Sequence, residues 1–116
     1  MKEFEKTTLH DLKKKLEHLK NLGYTRIISI SGIDSGPNID IVYSFAKGKR
    51  LVNIKTAVKK SRPELSTVTD IYPGAILYER ELSEMLGVRV KGNKFDRLFL
   101  PEDWPKGNYP LRKEAL

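Results

Sequence analysis

The chain has 116 residues, a formal net charge of +7 and no cysteine. That length supplies one modest hydrophobic core rather than two. The lack of cysteine excludes disulfides, thiol catalysis and iron–sulfur ligation by thiolates of this chain. Hydrophobic residues at 39% and charged residues at 32% make a globular composition. No apolar run approaches the roughly 20 residues of a membrane-spanning helix. The sequence opens on a charged MKEFEK rather than a signal peptide, so a cytoplasmic chain without direct membrane insertion is expected.

Residues 8–22 predict an amphipathic helix, because Leu9, Leu12, Leu16, Leu19 and Leu22 recur at three- and four-residue steps. Thr8 is the expected N-cap, with Asp11 three residues on, and Gly23 the expected stop. His10 and His18 share this helix at a spacing unsuited to joint ligation, with no third ligand evident. They read as surface residues.

Three strands are expected next. TRIISISGI (25–33) is β-branched and runs into the turn DSGPN. IDIVYSF (39–45) sets Ile39, Ile41, Tyr43 and Phe45 on one side against Asp40, Val42 and Ser44 on the other. LVNIKTAVK sets Val52, Ile54, Thr56 and Val58 against Leu51, Asn53, Lys55 and Ala57. Such alternation predicts a sheet with one covered face. The short connections predict an antiparallel meander packed under the first helix.

Charge is concentrated here as well. Between Asp40 and Glu64 stand Lys47, Lys49, Arg50, Lys55, Lys59, Lys60 and Arg62 with no acid among them. Such a hairpin either keeps the protein soluble or meets an anionic partner.

Past Pro63 the texture changes. STVTDIYPG (66–74) predicts one short helical turn before Pro73 and Gly74 interrupt it. A second helix is expected from Ala75 to Leu86, ended by Gly87, then a short strand or extended piece in VRVKGNKF. On a helical wheel Ala75, Leu82, Leu86, Tyr78 and Met85 form one face, and Glu79 falls at its edge between Leu86 and Ile76. An acid at a core margin is costly unless paired. Glu79 is therefore expected to meet a cation or several N–H donors, or else to cover apolar surface with its methylenes while its head reaches water. Arg80 and Glu84 are spaced for a surface pair.

The tail, LFLPEDWPKGNYPLRK (98–113), groups Leu98, Phe99, Leu100, Trp104, Tyr109 and Leu111 around Pro101, Pro105 and Pro110. Proline spoils both helix and strand ladders, so an irregular extended path is expected. Ordering such a segment is offset only when nearly all its apolar surface is covered. A small sheet already packed on two helices has little left to cover it. The tail is therefore expected to complete its burial on another protein, with Trp104, Tyr109 and Arg112 of the residue types that anchor interfaces. The chain thus reads as α+β: an N-terminal helix on a three- to four-stranded, mainly antiparallel sheet, a second helix and an irregular proline-rich C-terminal tail. Residues 1–116 are expected to form a single domain, with 98–116 as a docking tail.

Catalytic signatures are missing from the sequence. Gly48-Lys49 lacks the rest of a phosphate loop, no serine sits in a nucleophile elbow, and Glu102 and Asp103 are adjacent acids that point apart.

YERELSEMLGV followed by KGNKFDRLFLPEDWPKGNYPLRK, with the TDIYPGA lead-in, resembles the small hydrophilic 30-kilodalton family of respiratory complex I, the NADH dehydrogenase, including its members in energy-converting membrane-bound nickel–iron hydrogenases. The resemblance is dense over residues 63–113. It implies an accessory subunit of an oxidoreductase complex, with no catalytic residue, metal or cofactor of its own. Iron–sulfur clusters, and a nickel–iron site where there is one, would belong to partner subunits. It also implies docking on the hydrogenase-like large subunit beside the iron–sulfur subunit, peripheral on the inner face of the cell membrane.

The family positions that carry over as partner-binding are Glu79, Arg80 and Glu81 of the E-R-E run, and Leu100, Pro101, Glu102, Asp103 and Trp104 of the tail. Pro110, Leu111, Arg112 and Lys113 complete the family set, and Tyr109 joins the partner-binding residues as an interface-anchoring type. Gly87 after the helix also matches. Glu84 replaces a usual aspartate, and Asn93 stands where quinone-reducing members usually carry histidine. Asn93 and the stop after P-L-R-K point toward the hydrogenase branch or an archaeal ferredoxin-linked relative.

A rival expectation is a small basic α+β nucleic-acid-binding module that uses the 47–62 hairpin with Tyr43 and Phe45 as stacking surfaces. Their place on the covered face argues against it, and no nucleic acid is expected.

Overall fold

A computed structural model describes residues 4–93, and the tail positions named above lie outside the described residues. In chain order come β1 (Phe4–Lys6), α1 (Leu12–Asn21), β2 (Arg26–Asp34), β3 (Asn38–Lys47), β4 (Arg50–Lys59) and β5 (Glu64–Ser66). A 3₁₀ turn (Pro73–Ala75), α2 (Ile76–Leu86) and β6 (Arg89–Lys91) follow. The class is α+β.

The expected meander forms: β2 pairs with β3 and β3 with β4, both antiparallel. Two features were not expected. β1 adds to the far edge of β4 in parallel, giving a mixed sheet in the order β1-β4-β3-β2, and β5 and β6 make a separate parallel pair. The β3–β4 connection is a two-residue loop, Gly48-Lys49, inside the Lys47↔Arg50 pair. Only Gly48 has positive φ, +59°, the pattern a type II′ turn requires at its first central position.

The alternation read from β3 holds in full, since Ile39, Ile41, Tyr43 and Phe45 are all buried. Ile54, Thr56 and Val58 of β4 face the same core, to which α1 gives Leu12, Leu16 and Leu19, and α2 gives Leu82 and Leu86. Each such apolar side chain contributes about 1.5–3 kcal/mol by leaving water. The two outer leucines of the first stripe are corrected. Leu9 lies in the turn before α1 and Leu22 at its C-cap, and they stay 43% and 48% exposed. Thr8 accordingly serves the turn and not the helix, its Oγ1 accepting the Asp11 N–H at 3.2 Å.

α2 crosses β2 at Gly32. A Cβ there would overlap Leu86 Cδ1 and stand 2.8 Å from Leu82 Cδ1, so the helix sits against bare backbone. The expected turn before Pro73 is present, with the Tyr72 N–H donating to Val68 O at 2.8 Å. Pro73 does not break the path. It opens the 3₁₀ turn that leads straight into α2, a position where its missing N–H costs nothing. Gly87 ends α2 in the left-handed region, φ +72°, as expected.

Candidate functional site

The E-R-E run sits on the first half of α2, and helix geometry sends its three side chains in different directions. Glu79 points inward and is 1% exposed. Arg80 is half-buried and its Nε donates to Glu84 Oε1 at 2.8 Å, the pair its spacing predicted. Glu81 is exposed.

Glu79 is resolved in favour of donors. Its Oε1 accepts hydrogen bonds from Thr67 Oγ1 at 2.7 Å and Asn93 Nδ2 at 2.6 Å, and its Oε2 accepts the Val68 N–H at 2.8 Å. The alternative of a head group in water is overturned by its burial. Thr67 has one hydroxyl proton, and that proton goes to Glu79. The Thr69 hydroxyl, 2.8 Å away, must therefore donate to Thr67 Oγ1, which also accepts the Thr69 N–H at 3.2 Å. Glu79 lies in the first turn of α2, where the helix dipole favours a negative group. One carboxylate thus fastens three separate stretches: the 67–69 loop, α2, and the residue after Gly92. Gly92 turns the chain with φ +86°, setting Asn93 inside.

The surroundings reinforce this. Burial pushes the Tyr43 phenol well above its ordinary pKa, and the Glu79 charge adds to the shift. Tyr72 is pushed up to about 12 by burial, and its hydroxyl donates to Tyr24 O at 2.6 Å. Tyr72 also stacks at a tilt on Phe45, with centroids 4.6 Å apart. Beside the network, β5 and β6 are joined by Lys91 Nζ to Glu64 Oε2 at 2.7 Å, while Arg62 Nε meets Glu64 Oε1 at 3.3 Å. Those cations, Lys91 first, hold the Glu64 carboxyl below the ordinary carboxylate range.

Chemically the arrangement holds and positions the stretches around it. A groove of about 410 Å³ between the start of α1 and the β5–β6 pair contains His10, but its lysines are already engaged, Lys13 with Asp70 and Lys91 with Glu64. Among the described residues no group of three or more His, Asp or Glu side chains could hold a metal. His10 and His18 are exposed, as expected. No helix of the described residues is long and apolar enough to cross a membrane.

The stacking surface required by the nucleic-acid reading is missing. Tyr43 is 1% exposed and Phe45 fully buried, so neither can meet a base. Sequence reasoning found Glu79 and noted Asn93 without connecting them. It did not identify Thr67 and Val68, whose only signal was a run of cap-forming residues just ahead of the helix. Leu100, Pro101, Glu102, Asp103, Trp104, Tyr109, Pro110, Leu111, Arg112 and Lys113 lie outside the described residues.

Comparison with known proteins places the sequence and the fold among relatives. An NADH-quinone oxidoreductase subunit from Roseiflexus castenholzii is 34% identical over 101 residues, covering 81% of this chain and 56% of that protein. The membrane-bound hydrogenase subunit beta of Pyrococcus furiosus is 45% identical over 56 residues, covering 47% of this chain and 32% of that protein. This chain therefore spans about half or less of the length of these relatives. Among solved structures, a chain of the membrane-bound sulfane sulfur reductase, an archaeal respiratory membrane complex, superposes with a TM-score of 0.85 at 25% identity, covering 97% of this chain and 71% of that one. Residues 3–115 match the family model described as the respiratory-chain NADH dehydrogenase, 30 Kd subunit, and the chain belongs to that family.

Proposed function

We propose that this chain is an accessory subunit of a membrane-bound electron-transfer complex of the NADH dehydrogenase or membrane-bound hydrogenase type. The observation that carries the reading is the family match over residues 3–115. Relatives named as subunits of both kinds of complex support it. In this reading the chain performs no redox step, and the clusters lie in its neighbours. It docks on the hydrogenase-like large subunit beside the iron–sulfur subunit, on the cytoplasmic face of the membrane.

Residues 1–116 act as one unit in which α2 presents Arg80 and Glu81, and residues 98–116 form the docking tail. Glu79 serves docking indirectly. By holding Thr67, Val68 and Asn93 it fixes the last described residue against the body from which the docking tail follows in sequence.

The test is purification of the tagged full chain from the solubilised membranes of its own host. Recovery with a nickel–iron-type large subunit in near-equal amounts is expected. Recovery of the chain alone from that fraction contradicts the reading.

A further inference from the structure

The basic run from Lys47 to Arg62 divides sharply in the folded chain. Toward the end of the sheet where β2 turns into β3, all its cations but the exposed Lys59 are neutralised. Lys60 meets the buried Asp34 at 2.7 Å, Lys55 meets Asp40 at 3.6 Å and Arg62 meets Glu64 at 3.3 Å. At the opposite end, where the Gly48-Lys49 loop joins β3 to β4, they are not. Lys47, Lys49 and Arg50 are exposed and enter no ion pair among the described residues. Register brings Arg26 to the same end, because it pairs with Ala46, which pairs in turn with Leu51. Arg26 is likewise exposed and without an ion pair among the described residues. Four cations therefore crowd one end of the sheet and repel one another.

That end is also firmly built. The loop is a tight turn in which Gly48 alone takes positive φ. The Lys47 amine donates to Leu22 O at 2.7 Å, tying the hairpin to the C-terminus of α1. Leu51 stands 65% exposed in the row formed by Arg26, Ala46 and Leu51. An exposed leucine flanked by Arg26 and Arg50 joins an apolar contact to residue types enriched at protein interfaces.

We propose that this tip, formed by Arg26, Lys47, Lys49, Arg50 and Leu51, is a second docking surface, and that it meets an acidic surface of a neighbouring protein subunit. The proposal rests on the reading of the chain as a subunit of a complex. Charge complementarity names the partner: carboxylates relieve the repulsion among the four cations and fix the register of docking. Nucleic acid fits poorly, since the strand aromatics Tyr43 and Phe45 are buried. A lipid surface fits less well than protein, because the tip carries no aromatic side chain to seat at the bilayer interface.

The experiment compares lysine acetylation of the isolated full chain with that of the chain in the complex purified from native membranes, read by mass spectrometry. Lys14, an exposed lysine of α1, serves as internal reference. Labelling of Lys49 should fall by roughly tenfold or more in the complex, as for a residue moved into an interface core. Carbodiimide coupling should join Lys49 to an aspartate or glutamate of another subunit. The double variant Lys49→Glu, Arg50→Glu should fold with an unchanged melting temperature but release the chain from the complex at about 0.15 M salt.

An intact complex in which Lys49 labels as freely as Lys14 overturns this proposal alone. Protection of Lys49 in the isolated chain by phosphatidylglycerol vesicles, with no coupling to protein, assigns the surface to lipid and overturns it as well. Recovery of the chain alone from native membranes overturns both this surface and the function proposed above.

Discussion

Asn93 Nδ2 donates a 2.6 Å hydrogen bond to Glu79 Oε1, so the residue that follows β6 and Gly92 is held by the acid at the start of α2. Removing that acid strands three donors at once. Glu79→Ala should destabilise the fold by about 2–4 kcal/mol, because buried donors without acceptors cost more than the bonds themselves are worth. Urea unfolding measures this, and hydrogen exchange at the Val68 amide should accelerate by the same free energy. Asn93→Ala removes one donor of three and should cost less, about 1–2 kcal/mol.

Gly32 sets how closely α2 approaches the sheet. Gly32→Ala should cost about 1–3 kcal/mol by overpacking against Leu82 and Leu86. The same substitution at Gly36, whose Cβ position is open, has no packing cost, but its φ of +103° strains any side chain there. Melting temperatures of the two variants separate these mechanisms: suppression by Leu86→Ala is expected for Gly32→Ala only.

Glu64 carries an acid-side dependence. Lys91 and then Arg62 depress its folded pKa. Its contribution to stability is therefore present above the unfolded carboxylate value and is lost as pH falls through the depressed folded value. Lys91→Met should return the Glu64 titration, followed by carboxyl carbon NMR, toward the ordinary range. An unmoved titration would assign the depression to another cause.

Tyr72 carries the alkaline counterpart. Its folded pKa of about 12 stands above the ordinary 10.0. The associated stability is complete below pH 10 and is lost as pH rises toward about 12, since the unfolded chain ionises first. Tyr72→Phe should flatten that loss in urea melts between these limits. It should also cost about 1 kcal/mol near neutrality, where Tyr24 O loses its donor.

What the sequence made legible follows the range of the interactions. β3 and β4 were readable because alternation is a local pattern, and ten-residue strands display it several times over. β1 and β5 were not. Each has three residues, too few for any period, and each exists because a distant strand offers a parallel edge. Glu79 was readable as an acid in the wrong place on a wheel, whereas its donors come from residues 11, 12 and 14 positions away, which no wheel relates to it. The basic run was visible as composition. Its division into a largely neutralised half and an unneutralised tip depends on the register that sets Asp34 and Asp40 at one end only.

In the function proposed above, the C-terminal segment docks this protein on the large subunit of its complex. A photo-cross-linking amino acid in place of Trp104, activated in the complex purified from native membranes, tests it most directly. One dominant adduct with the large subunit and an unchanged melting temperature for the isolated chain are expected. Adducts confined to residues of this chain, together with loss of its fold, would assign Trp104 to the chain's own core and overturn docking through this segment.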